Sequence, residues 1–253
     1  MRSSTPRSRS ALALVASVAL VAACGGGDTE QEDAASTQAV SSSAEQTPAP
    51  DLASGLLPAD AFGPDASVVA VAPEQLEQGA GLAAASAEDV QIQPEACAAA
   101  VEGTQPQFDH FDDIAAQSAT TGSATTVEVL VRGGPTKGTV SQLEAAADRC
   151  PQAMITAPQF GQAAITFEAL PVDELGDAAA LLRYTTTVTL PDGTQATIPA
   201  LVGAVQDGDR LLVLMHLDAS ALVAGAPPGA PADPAAFADL LEQAYETQAD
   251  ALD

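Results

Sequence analysis

Tryptophan is absent from this 253-residue chain, histidine occurs twice, and eight Lys and Arg stand against 34 Asp and Glu. So few basic residues exclude nucleic acid as a partner, because binding phosphates needs clustered Lys and Arg. At a net charge of −26 the chain also repels anionic headgroups within a Debye length of about 8 Å. Catalytic motifs are lacking too. There is no Gly-x-Ser-x-Gly and no His-Glu-x-x-His. Gly133-Gly134-Pro135-Thr136-Lys137-Gly138-Thr139 lacks the Gly-Lys-Ser/Thr ending of a phosphate loop, and its proline removes an N–H that such a cradle needs. It reads as a strand-to-helix loop.

What is present begins at the N-terminus. Arg2, Arg7 and Arg9 form a basic start, and Ala11–Ala23 follows with Ser17 as its one polar side chain. That run is too short to span a bilayer, which takes roughly 20 apolar residues, and has the shape of a signal-peptide core. It closes on Leu20-Val21-Ala22-Ala23-Cys24-Gly25. Small residues before a cysteine are similar to a bacterial lipobox, in which the cysteine sulfur is diacylated and the chain is cut before it. Residues 1–23 are therefore expected to be a lipoprotein signal peptide, and Cys24 a lipidated N-terminus on the extracytoplasmic face of the cell membrane. Two acyl chains anchor stably where one binds marginally. The alternative is an ordinary signal peptide with an incidental cysteine. Three basic residues and no acidic ones lie in that segment, so the remainder carries five basic residues against 34 acidic ones, a net charge of −29.

Residues 24–55 read as the lipidated cysteine and a flexible acidic linker. Gly25-Gly26-Gly27, a polar stretch and Thr47-Pro48-Ala49-Pro50 offer too little apolar surface to offset the entropy of ordering. Such a chain reaches roughly 30 Å. Residues 56–253 suffice for one domain with a sizeable core. With Cys24 assigned to lipid, Cys97 and Cys150 remain as an even pair in an oxidising compartment, and a disulfide is expected. Two free buried thiols are the alternative; zinc is not expected, since neither cysteine has a Cys-x-x-Cys neighbour or a nearby His.

Leu56-Leu57-Pro58-Ala59-Asp60 suggests a short helical turn and Val68–Val71 a brief strand. Pro94–Val101 looks helical. Thr125–Arg132 is β-branched and alternating, so it predicts a strand. Thr139–Cys150 predicts a helix with Val140, Leu143, Ala147 and Cys150 on one face, stopped by Pro151. Further strands are expected at Ala163–Leu170, Ala179–Leu190, Gln195–Val205 and Arg210–Leu217. Pro191-Asp192-Gly193 and Asp207-Gly208 are hairpin signals between the last three. The continuous apolar run Leu211–Met215 suggests a central strand covered on both sides. Gly225–Ala232 is a Pro/Gly loop, and Asp233 with Pro234 opens a last amphipathic helix carrying Phe237, Leu240, Leu241, Ala244, Tyr245 and Leu252. The expected class is α+β: one domain in which an antiparallel sheet, ending in a meander, packs with helices.

Candidate chemistry is sparse. Phe108-Asp109-His110-Phe111-Asp112-Asp113 could offer oxygen ligands to a cation, but reads more simply as a solvated acidic loop with two buried Phe. His216 reads as a hydrogen-bonded sheet residue. No metal site, cofactor or catalytic residue is assigned. Tyr184, Thr186, Val188 and Leu190 alternate with Thr185, Thr187 and Thr189, one apolar face and one threonine face. That hydroxyl face is a candidate ligand-binding surface, with a plain solvated sheet face as the alternative.

The order of these features resembles the extracellular sensor domain of serine/threonine kinases of the PknH type, a module that also occurs in stand-alone actinobacterial lipoproteins. The resemblance covers about Leu56 to Leu252. It rests on the Leu56-Leu57-Pro58 opening, Pro94-Glu95-Ala96-Cys97, Val127-Glu128-Val129-Leu130-Val131 followed by Thr139 to Arg149-Cys150, the Thr-rich meander and the closing helix. The family commonly has two disulfides where this chain has residues for one. The kinase motifs Val-Ala-Ile-Lys, His-Arg-Asp and Asp-Phe-Gly are absent. The resemblance implies a non-enzymatic domain that binds an unknown ligand or protein of the cell envelope. A lipid-carrier lipoprotein with an apolar cavity between sheet and last helix is the alternative.

Overall fold

Alternating apolar residues on long strands build most of the molecule. The structure, a computed structural model, describes residues 50–78, 90–102, 108–157, 161–189, 193–218, 220 and 232–253. Cys24, the expected signal peptide and most of the Pro/Gly loop at Gly225–Ala232 lie outside the described residues. The strands are β1 (Ser67–Ala70), β2 (Gln91–Gln93), β3 (Asp113–Thr121), β4 (Ala124–Arg132), β5 (Gln152–Ala157), β6 (Gly161–Leu170), β7 (Ala178–Thr189), β8 (Gln195–Asp207) and β9 (Arg210–Asp218). Residues 73–78 are helical, and the further helices are α1 (Glu95–Glu102), α2 (Thr139–Arg149) and α3 (Pro234–Leu252). Among the described residues nine strands form one sheet in the order β1-β3-β4-β9-β8-β7-β6-β5-β2, antiparallel at every pair. The expected α+β class is met, with β5 to β9 as a five-strand meander. Among the described residues no helix is long and apolar enough to cross a membrane.

Side chains alternate across the sheet, so each face has its own core. On one face α3 packs over Leu130, Leu181, Leu201, Val205, Leu212 and Leu214 with Phe237, Leu241 and Ala244. Asp233 caps this helix by accepting a hydrogen bond from Ala235 N at 3.0 Å, with Pro234 at its start. Gly203 lets α3 come close: a Cβ there would collide with Leu241. On the other face α2 lies over Val129, Val131, Ala180, Ala204 and Leu211 through Val140. The apolar run in β9 is thus central, fourth from one edge, and covered on both sides as expected. Cys97 in α1 is bonded to Cys150, the residue after α2, with Cα atoms 5.4 Å apart. The bridge packs with Ala153, Ile92 and Phe167.

Several local expectations are corrected. The short turn expected at Leu56–Asp60 starts only after Pro58. The 3-10 turns are Leu52–Gly55 and Ala59–Phe62, and the segment between them is extended, with Leu57 buried. Leu52 and Gly55, ahead of Leu56, are also buried in this core. Strands β2, β3 and β5 were not foreseen. β3, Asp-Ile-Ala-Ala-Gln-Ser-Ala-Thr-Thr, has few strand-forming side chains, and its pairing with β1 and β4 decides its state. Gly133 and Gly134, read as a plain loop, have φ of 75° and 63°, and a Cβ on either would strike Asp112 or the His110 carbonyl. Both glycines are demanded by local packing against the 108–112 segment.

Candidate functional site

The first turn of α3 begins beside the Ala124–Asp218 end of strands β4 and β9, and small side chains leave space there. Ala119, Ala124 and Ala236 contribute walls where larger side chains would fill the volume, with Ala61 and Phe62 from a 3-10 turn and Phe237 and Leu240 from α3. The result is a cavity of about 570 Å³, within the roughly 300–1,000 Å³ range of small-molecule sites. Its polar groups are Thr121, Ser123, Thr126, His216, Asp218 and Asp233. The two-residue turn at Gly122 and Ser123, with Gly122 at φ 61°, joins β3 to β4 tightly and sets Ser123 at its edge.

Cross-strand pairing places these groups. Thr126 on β4 faces His216 on β9, and Thr126 Oγ1 lies 2.9 Å from His216 Nδ1. Burial pushes the imidazole below its ordinary pKa, and nearby Asp218 opposes that shift only partly. His216 is therefore neutral at pH 7 and also meets the Phe237 ring edge-on, with centroids 6.4 Å apart. Asp218 is 8 % exposed. It accepts hydrogen bonds from Ser220 N and Ser123 Oγ, each at 2.8 Å. The Ser220 N–H bond leads in holding its pKa below the ordinary carboxylate value, so it stays charged. A Ser–His–Asp relay needs the carboxylate on the imidazole; here Asp218 accepts from Ser123 and Ser220, and His216 Nδ1 meets Thr126. The arrangement is suited to holding a ligand.

The row through Thr126 and His216 continues across the sheet to Leu201, Arg183 and Glu168. Arg183 Nη1 is 3.0 Å from Glu168 Oε2. Two residues further along β7 the threonine face begins. Thr185, Thr187 and Thr189 share the α3 face of the sheet with Leu181 by alternation. Thr185 and Thr187 are half-buried and Thr189 is exposed. Thr185 pairs with Thr166, and Thr187 Oγ1 is 3.5 Å from Thr197 Oγ1. The sheet thus brings the expected threonines onto the face that carries the cavity, but none of them lines it. Tyr184 lies on the opposite face, near Phe167 and Met215. Among the described residues no cluster of three or more His, Cys, Asp or Glu is placed to hold a metal ion.

Sequence reasoning missed the cavity and treated His216 only as a sheet residue. The signal available was weak: a His two residues from an Asp at the end of an apolar strand. It also passed over Glu128. That side chain is fully buried between Leu57 N, 3.2 Å from both carboxylate oxygens, and Gln117 Nε2, 2.6 Å from Oε2. Burial raises its pKa from 4.5 to about 6, against the lowering effect of these two hydrogen bonds. Gln117 Nε2 also donates to Leu57 O at 2.8 Å. The pair clamps the entering segment onto β3 and β4.

No protein-family model and no curated protein matches the chain. Solved structures do. The X-ray structure of an uncharacterized Rv0999 ortholog from Mycobacterium smegmatis matches with a TM-score of 0.50 at 17 % identity, over 79 % of this chain and 97 % of that one. The crystal structure of the extracellular domain of PknH from Mycobacterium tuberculosis matches with a TM-score of 0.40 at 8 % identity, over 78 % and 91 %. At these identities the likeness is one of fold.

Proposed function

We propose that this chain is a lipoprotein anchored through Cys24 on the extracytoplasmic face of the cell membrane, and that its folded part binds a small ligand, as a sensor-like domain of the envelope, without catalysing a reaction. The cavity beside His216 carries this reading: an apolar chamber with a few convergent polar groups is the form of a binding site. The disulfide agrees with an oxidising compartment. The threonine face serves as a flanking platform, with hydroxyls of Thr185, Thr187 and Thr189 for the part of a ligand that extends beyond the chamber. The carrier alternative asks for space between the sheet and the stripe of α3. Leu201, Leu212, Leu214, Phe237 and Leu241 are buried there, so an apolar guest would use the rim cavity instead.

The test is mass spectrometry of small molecules that co-purify with the chain from an exporting bacterial host, compared with Ala124→Leu and Ala236→Leu variants that fill the chamber. A molecule retained by the wild type and lost from both folded variants supports the proposal; equal retention by all three contradicts it. For the anchor, Cys24→Ala should move the protein from the membrane fraction to the soluble one, and unchanged partition would sink that part.

A further inference from the structure

Resting on the reading of the rim cavity as a ligand site, we infer that its ligand is a compact apolar molecule bearing an ammonium or other cationic group, and that the site rejects carboxylates and phosphates. The cations of the chain lie elsewhere. After residue 23 they number five, Arg132, Lys137, Arg149, Arg183 and Arg210, and the sequence has none at 50–131 or 211–253. The cavity is built wholly from those two cation-free stretches: its described lining runs from Ala61 to Thr126 and from His216 to Leu240. No lining residue can therefore neutralise an anion.

The cations nearest in the fold are committed or distant. Arg132 and Arg210 sit opposite each other at the far end of the β4–β9 pair. At about 3.4 Å per residue that end is roughly 27 Å from Ala124 and Asp218, well beyond a Debye length of about 8 Å. Arg132 is held by Asp113 at 2.6 Å and Arg210 by Asp207 at 2.7 Å and Asp253 at 2.6 Å. Arg183 lies two strands from His216, about 10 Å at the usual strand spacing, and is paired with Glu168. The start of α3 makes a poor anion seat as well: Pro234 has no N–H, and Ala235 N already donates to the Asp233 carboxylate.

What does face the chamber favours positive charge. Asp218 presents a carboxylate in a mostly apolar wall, where its field is screened less than at the open surface. Asp233 adds a second carboxylate at the rim. Phe62 and Phe237 line the cavity, a phenyl face attracts an ammonium group, and neutral His216 adds no repulsion. The alanines accept an alkyl body.

Three probes with the same eight-carbon body separate the contributions: octylammonium, octanol and octanoate, titrated into the full chain carrying Cys24→Ser and produced without lipid, at 0.15 M salt. Octylammonium is expected to bind at least about tenfold more tightly than octanoate, a difference of roughly 1.4 kcal/mol, with octanol between them. Asp218→Asn should cut that preference to less than about threefold while octanol binding persists. Because Asp218 also holds the Ser123 and Ser220 contacts, Asp233→Asn provides a second variant that keeps the helix cap and should reduce the preference more modestly. Ala124→Leu should weaken all three probes. Octanoate binding as tightly as octylammonium, with octanol still displaced by Ala124→Leu, overturns the charge assignment and leaves the cavity as a site. Failure of all three probes to bind overturns both.

Discussion

The two faces of the sheet use buried polarity in opposite ways. The α2 face is covalently tied and its buried polar group is satisfied: Val140, Val129, Val131 and Leu211 fill it, Gln206 accepts a hydrogen bond from Gly138 N at 3.0 Å, and the Cys97–Cys150 bridge closes its far side. The α3 face buries Glu128 and Gln248 completely, both side-chain polar atoms of Gln248 lack a partner among the described residues, and the chamber beside His216 opens at its rim. Buried carboxylates and orphaned amides cost stability, so the molecule is stabilised on one face and compromised on the other. Such compromises gather at working sites. The contrast is a second reason to propose the α3 face as the binding side.

Breaking the bridge should have the largest effect. Replacing Cys97 and Cys150 together by Ala opens a loop spanning 53 positions and should cost on the order of 4 kcal/mol in urea denaturation, while any octanol binding to the remaining folded protein is kept. A comparable loss of affinity would show that the faces are not independent.

Glu128 sharpens the contrast through pH. Its folded-state pKa, raised to about 6 from 4.5, means that the folded protein holds the proton more tightly than the unfolded chain. This contribution is fully present below about pH 4.5 and lost as pH rises through 6, a change of roughly 2 kcal/mol. In Glu128→Gln the difference in stability between pH 4.5 and 7 should shift by that amount toward higher pH. An identical pH dependence in the variant would remove the buried carboxyl from the account.

Gln248→Met keeps the volume and removes the unpartnered amide, so it should stabilise the protein by about 1–2 kcal/mol, read as a raised urea midpoint at constant slope. A loss instead would mean that the amide makes a contact that matters. The smallest effect belongs to the threonine platform. Thr185, Thr187 and Thr189 changed together to Ala should leave the fold intact and weaken the co-purifying ligand by less than about tenfold; unchanged binding would confine the site to the chamber.

Much of the architecture was legible in the sequence, and the reasons differ by element. β4, β7, β8 and β9 announce themselves through β-branched alternation or an unbroken apolar run, and α3 through Asp233, Pro234 and its stripe. The disulfide followed from cysteine parity and the expectation of export. β3 was hidden because alanine, glutamine and serine take their strand state from neighbours, and Leu56–Pro58 because an extended segment gripped by Glu128 carries no periodicity of its own. The cavity was illegible for a related reason: a space between alanines from β3, β4 and α3 is a property of distant segments meeting. The threonine face could be seen as a pattern, but its position on the cavity side of the sheet required the strand order.

The central claim is that the chamber beside His216 receives ligand. The most direct measurement follows alanine methyl resonances by NMR as octanol is added to the full chain carrying Cys24→Ser. Shifts at Ala119, Ala124 and Ala236, with Ala153 and Ala180 on the opposite face unmoved, are the predicted result. Saturating octanol with no shift at those three methyls, or shifts centred on the α2 face, would contradict it.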